Sequence, residues 1–273
     1  MRMRFFAASI AILLAQMTAA AAPAAPPTLM TPTGPWNVEF ADSMCLLSRP
    51  YEKDRTTNLI IKPAMVGTNL EIIVTKATTA IGNVRGGKVD LKISDGAPVA
   101  DARFTAYSTA KARLVRIGAG DTIALENLRG TLSIDAGKES RHLFALTGIE
   151  RALPILSQCI RQLRAIYKVS EAEMAAIVTP AVGDTVSLFS PNDYPKESLA
   201  NDQFGTVGAL LWVDITGRVS SCEIIESSAA RPLQEATCNI VKRRARFTAG
   251  KDAAGKPVRA PFFFRIRWAL SEF

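Results

Sequence analysis

A single histidine, His142, and four cysteines are all the imidazole and thiol ligands that 273 residues offer. No two cysteines stand in a C-x-x-C pair, so a structural zinc site has no ligand set to draw on and a metal centre is not expected. Catalytic pairings are scarce too. His142 sits between Arg141 and Leu143 with no carboxylate or nucleophile beside it in sequence, and it reads as a surface residue. Ser108-Thr109-Ala110-Lys111 has a Ser-x-x-Lys spacing, but its surroundings are strand-like and no Lys-Thr-Gly or Ser-Asp-Asn follows. Gly250 to Lys256 spells G-x-x-x-x-G-K, with Pro257 where a phosphate loop needs a hydroxyl for magnesium, and it reads as a polar loop before a strand. The expectation is a protein that is not an enzyme and carries no cofactor. After residue 22 no stretch is apolar enough to span a bilayer.

The amino terminus is the one hydrophobic exception. Arg2 and Arg4 precede an apolar run from Phe5 to Leu14 and a small-residue tract through Ala22, the order of a secretory signal. Residues 1–22 are therefore read as a signal peptide cut near Ala20 or Ala21, which places the mature protein in the periplasm. The alternative is an uncleaved inner-membrane anchor with the remainder facing the periplasm. Residues 23–35, rich in Pro, Ala and Thr, read as a short extended tether. The net charge of +8 is spread along the chain and loses Arg2 and Arg4 with the signal. It suits general attraction to anionic surfaces, and no nucleic-acid partner is expected.

In an oxidising compartment the cysteines become bridges. Cys45 and Cys159 bracket the first half, and Cys222 and Cys238 lie close together in the second. Of three connectivities, a two-domain reading selects Cys45 with Cys159 and Cys222 with Cys238. In the first half, alternation at Leu59 and Ile61, at Leu70, Ile72 and Val74, at Val89, Leu91 and Ile93, and at Leu132 and Ile134 predicts strands. Leu153, Leu156, Ile160, Leu163 and Tyr167 recur at helical spacing and predict a helix across the sheet. Residues 36–169 are thus a mostly-β domain closed by a helix, residues 170–190 a linker, and residues 191–273 a second domain; the fold class is α+β.

The second domain has a regular order. Val207 to Asp214 alternates as a strand, a turn ends at Gly217, and Val219 to Glu226 follows with Cys222 and Ile224 on one face. A helix from Pro232 buries Leu233, Ala236, Ile240 and Val241 and ends in Lys242, Arg243, Arg244 and Arg246. Those cations oppose the helix dipole or serve a binding surface. Phe262, Phe264, Ile266, Trp268 and Leu270 then alternate with Phe263, Arg265, Arg267 and Ala269, a strand with one buried and one basic face.

With Tyr194-Pro195, Gly205, the Thr216-Gly217-Arg218-Val219 turn, Ser227-Ser228, Leu233, Arg244-Ala245-Arg246-Phe247 and Gly255-Lys256-Pro257-Val258, this segment resembles the carboxy-terminal domain of the TonB energy-transducer family. The resemblance implies a three-stranded antiparallel sheet with two helices that binds an extended segment of outer-membrane transporters. Binding of that kind is strand addition to an open sheet edge. Phe262 to Leu270 is the candidate edge, with Phe263, Arg265, Ile266, Arg267 and Trp268 as peptide-binding residues. Its role would be peptide binding in the envelope, assisting energy-coupled transport. The alternative is a structural protein whose edge pairs with a second copy, with specificity in the first domain. The chain departs from the family's pattern in its short tether and in having only Ser9 as a polar residue within its apolar run.

Overall fold

A computed structural model describes residues 27–52, 56–67, 69–80, 82–118, 123–185 and 187–270. The signal-peptide reading of residues 1–22 lies outside them. The first half carries β1 (Leu29–Met30), β2 (Asn37–Phe40), β3 (Cys45–Tyr51), β4 (Thr57–Pro63), β5 (Leu70–Ala77), β6 (Arg85–Lys88), β7 (Asp90–Ile93), β8 (Arg103–Ser108), β9 (Ala112–Gly118), β10 (Thr131–Asp135) and β11 (Arg141–Ala145), then helix α1 (Ile149–Ile166). Among the described residues β2-β3-β4-β5-β9-β8-β6 form a seven-stranded antiparallel sheet, and β1-β11-β10-β7 form a four-stranded one.

The alternating apolar residues explain why these sheets face each other. Leu47, Leu59, Ile61, Ile72, Val115 and Ile117 from the large sheet meet Leu91, Leu132, Ile134 and Phe144 from the small one in a single core, which α1 closes with Leu156, Ile160 and Leu163. Tyr51 is fully buried between the sheets. Its hydroxyl donates to the Ala145 carbonyl at 2.7 Å, and its ring meets Phe144 edge-on at 4.8 Å. Burial pushes the Tyr51 phenol up to about 12, against the opposing pull of Arg49. A disulfide joins Cys45 on β3 to Cys159 on α1.

Two connecting stretches are less free than their composition implies. Within residues 23–35, Leu29 and Met30 pair in parallel with Leu143 and Phe144, and Thr33 donates to the Pro50 carbonyl. The described part of the expected tether is therefore docked, because β11 presents an unpaired edge and Met30 packs on the core. The expected linker holds helix α2 (Glu171–Ala176), capped by Ser170, and then runs as a strap along the second half. Thr179 bridges to Lys251 and Val182 to Thr248, and Ala181 is buried.

In the second half come α3 (Lys196–Ala200), β12 (Gly205–Val213), β13 (Val219–Ser227), α4 (Arg231–Arg244), a small hairpin of β14 (Gly250–Lys251) and β15 (Pro257–Val258), and β16 (Ala260–Trp268). The sheet is antiparallel with order β13-β12-β16. Gly217 takes φ +81° in the β12–β13 turn, and a Cβ there would sit 2.0 Å from the Phe247 carbonyl oxygen, so only glycine fits. A second disulfide joins Cys222 on β13 to Cys238 on α4.

The central strand β12 is buried on both faces. Val207, Ala209, Leu211 and Val213 face cores shared with α4, the strap and Trp268, whereas Leu210 and Trp212, with Ile225, belong to the core of the first half. Alternation by itself gives a strand one apolar face, whereas β12 has two.

Candidate functional site

The site follows from the register of β16. The Ser228 N–H donates to the Thr206 carbonyl, the Thr206 N–H donates to Ser228 Oγ, and the Asp214 N–H donates to the Arg218 carbonyl, so even-numbered residues of β12 aim their backbone groups at β13. Odd-numbered ones aim at β16, where their partners are Ala260, Phe262, Phe264, Ile266 and Trp268. The backbone groups of Phe263, Arg265 and Arg267 therefore point outward, and among the described residues no strand pairs with that edge. Pro261 shares this outward parity, the position where a strand loses no internal bond to proline. The opposite edge is occupied in part, since the Tyr167 hydroxyl donates to the Ile225 carbonyl at 3.4 Å.

Side chains alternate with the same period. Trp268 is 4% exposed, its Nε1 donates to Thr237 Oγ1 at 2.9 Å, and Phe189 and Tyr194 meet its ring edge-on. Ile266 packs beside it. These two residues anchor the strand on the α4 side. Tyr194 also donates to the Gln203 carbonyl at 2.6 Å, which fixes the Tyr194-Pro195 segment against the strand's end.

On the other side β16 meets the first half. Phe263 is partly buried there. Arg265 was expected on a solvent-facing basic surface, but its guanidinium lies between Glu71 of β5, at 2.9 Å, and Glu226 of β13. Lys62 of β4 reaches Glu226 at 2.9 Å, and Arg116 of β9 holds the other oxygen of Glu71 at 2.6 Å. Side chains of Lys62, Glu226 and Arg265 are only 11%, 14% and 25% exposed. Of the two β16 arginines, Arg267 is the exposed one. Burial raises the Glu226 carboxyl, but the hydrogen bond and charge of Arg265, and then Lys62, outweigh it and hold it below its ordinary value. Burial, and then repulsion from Arg265, lowers the Lys62 ammonium despite its carboxylate partner.

Beside this cluster runs a cleft of about 360 Å³, lined by Phe262 to Arg265, Met65, Leu70, Gly118, Leu163 and Ile225.

The basic end of α4 is bound within the fold. Arg244 grips Asp193 through two 2.7 Å bonds and donates to the Leu188 carbonyl, while Arg243 and Arg246 donate to carbonyls of the helix's last turns. The Arg244 hydrogen bonds hold the Asp193 carboxyl well below the usual carboxylate range.

Residues 190–270 match the family model described as Gram-negative bacterial TonB protein C-terminal. The match covers under a third of the 273-residue chain and spans the segment whose resemblance rested on Tyr194, Pro195, Gly205 and Gly217. The likeness is to the carboxy-terminal part of TonB proteins and concerns this segment alone. No curated protein matches the chain. Among the described residues no helix is long and apolar enough to cross a membrane, and no cluster of metal ligands occurs.

The other sequence motifs fall outside the site. Ser108 to Lys111 forms the β8–β9 hairpin turn rather than a helix, with Ser108 Oγ held by the Gly82 N–H and Arg113. Gly250 to Lys256 lies across the β14–β15 hairpin, its turn tied by Asp252 Oδ1 to the Ala254 and Lys256 N–H groups. His142 is half-buried on β11 against Phe144 rather than on the surface, and burial lowers its pKa.

Proposed function

We propose that this chain is a periplasmic TonB-like protein that receives an extended segment of an outer-membrane transport partner as an added strand on the edge of β16. One observation carries the reading: Phe263, Arg265 and Arg267 turn their N–H and C=O groups away from the sheet, on the module that matches the TonB family. Unpaired strand edges are templates for another backbone. Side chains of Ile266 and Trp268 hold the strand from behind, and the Arg265 guanidinium ties it to Glu71 of β5 and Glu226 of β13. The guest thus gains affinity from main-chain bonds in the span 263–267.

A pair of proline substitutions tests the parity. Arg267→Pro removes an outward donor and leaves the internal ladder whole, so it should weaken transporter-derived peptides about tenfold with little loss of stability. Ile266→Pro removes an inward donor to Val207 and should destabilise the fold itself. Peptide affinity unaffected by Arg267→Pro, measured by fluorescence titration, would contradict the assignment. A mass that rises with protein concentration would instead favour pairing of the edge with a second copy.

A further inference from the structure

The first half does more than support the module. We propose that the cleft between β16 and the first half is a side-chain pocket for the same guest strand, and that it takes a large apolar residue, aromatic or branched aliphatic. This rests on the strand-addition reading.

The position of the cleft points to a guest at the edge. Four consecutive residues, Phe262 to Arg265, line it. Side chains of alternate residues leave a strand on opposite faces, so a cavity touched by both parities reaches the strand's margin, while Ile225 and Glu226 of β13 show that it also extends under the sheet. Thr185 of the strap also lines it. A strand bonded to Phe263 and Arg265 would send every second side chain toward the first half, into this space.

Its chemistry selects an apolar occupant. Phe263, Met65, Leu70, Leu163 and Ile225 supply the apolar lining. The charged residues of the wall are committed to one another: Lys62 to Glu226 at 2.9 Å and Arg265 to Glu71 at 2.9 Å. Two cations of the wall, Lys62 and Arg265, balance its two carboxylates, and Arg116 is not part of the lining, so a charged guest would lose water there without gaining an unengaged partner, whereas an apolar one removes surface from water on both sides. Gly118 adds room, because a Cβ at this position meets nothing within 4 Å among the described residues. It lies on the same face of β9 as Arg116, two residues away.

The test uses the full chain and a fluorescein-labelled strand-forming peptide of alternating Thr and Val, with Ser, Phe, Leu or Glu placed at each position in turn. Phe or Leu at positions of one parity should bind roughly tenfold or more tighter than Ser. Gly118→Leu fills the cleft and should cut that gain to within about twofold while the Ser peptide binds as before. An intact gain in Gly118→Leu, equal weakening of all peptides, or a preference for Glu overturns the pocket. In those cases strand addition stands wherever the Ser peptide still binds and Arg267→Pro still weakens it. Absence of binding for every peptide removes both readings together. Should Gly118→Leu fail to fold by its denaturation curve, Thr185→Phe fills the cleft from the other lip and must give the same loss.

Discussion

Glu226 reaches Arg265 by lying across Gly208, which pairs with Glu226 on one side and with Arg265 on the other. A Cβ on Gly208 would fall 2.4 Å from Cγ of Glu226 and 2.7 Å from its Oε1. The missing side chain is the channel through which an acid on β13 touches a cation two strands away. Gly208→Ala should therefore displace Glu226 and cost about 1–3 kcal/mol, read from the urea midpoint. Adding Glu226→Gln to that background should cost less than it does alone, because the contact has already gone.

Lys62 and Arg265 share the cluster but not its importance. Three cations, Lys62, Arg116 and Arg265, face two carboxylates, Glu71 and Glu226, which leaves one positive charge in excess. Removing either Lys62 or Arg265 leaves two cations with two carboxylates, but only Arg265 is bonded to both, so its loss separates them from their common partner. Lys62→Met should stay within about 1 kcal/mol of the parent and Arg265→Met should lose about 2–3 kcal/mol. Equal losses in chemical denaturation would refute the asymmetry.

Acid should weaken the fold in two steps. His142 has a folded pKa below its ordinary 6.5, so the unfolded chain binds its proton first and stability declines as pH falls below about 6.5. Glu226, Asp193 and Asp214 are also lowered, and as acids they stabilise fully above the ordinary carboxylate range. That contribution is lost as pH falls through their lowered values, giving a steeper drop below about pH 4. Denaturation midpoints from pH 8 to 3 measure both steps. His142→Gln should flatten the first and Glu226→Gln should reduce the second.

The two bridges should differ in worth. Cys222–Cys238 closes 16 residues and Cys45–Cys159 closes 114. Loop entropy assigns about 3 kcal/mol to the short bridge and nearer 5 kcal/mol to the long one. Double alanine variants compared by guanidinium titration should keep that order. Peptide mapping without reductant should recover Cys222 joined to Cys238.

Much of the second half was readable from its pattern. The strand expected over Val207 to Asp214 is Gly205–Val213, Val219 to Glu226 is Val219–Ser227, and the helix expected from Pro232 begins at Arg231. The terminal strand, placed at Phe262 to Leu270, runs Ala260–Trp268. Period-two alternation and glycine turns are local, and local signals survive into the fold. Arg265 was misread as surface because Glu71 lies 194 residues away in sequence. Leu29 and Met30 looked like tether for the same reason, since the edge that holds them is Leu143 and Phe144.

Residue order alone settled where the strands of the TonB module lie, which glycines turn them, and which side chains share a face, because each depends on neighbours a few positions apart. What covers each face came from contacts across the whole chain: the first half seals one side of β12 and engages Arg265, while α4 and the strap seal the other. The outward rim of β16 belongs to both levels. Its alternation is written in the sequence, but only the sheet order, with β16 outermost, leaves that rim without a partner among the described residues.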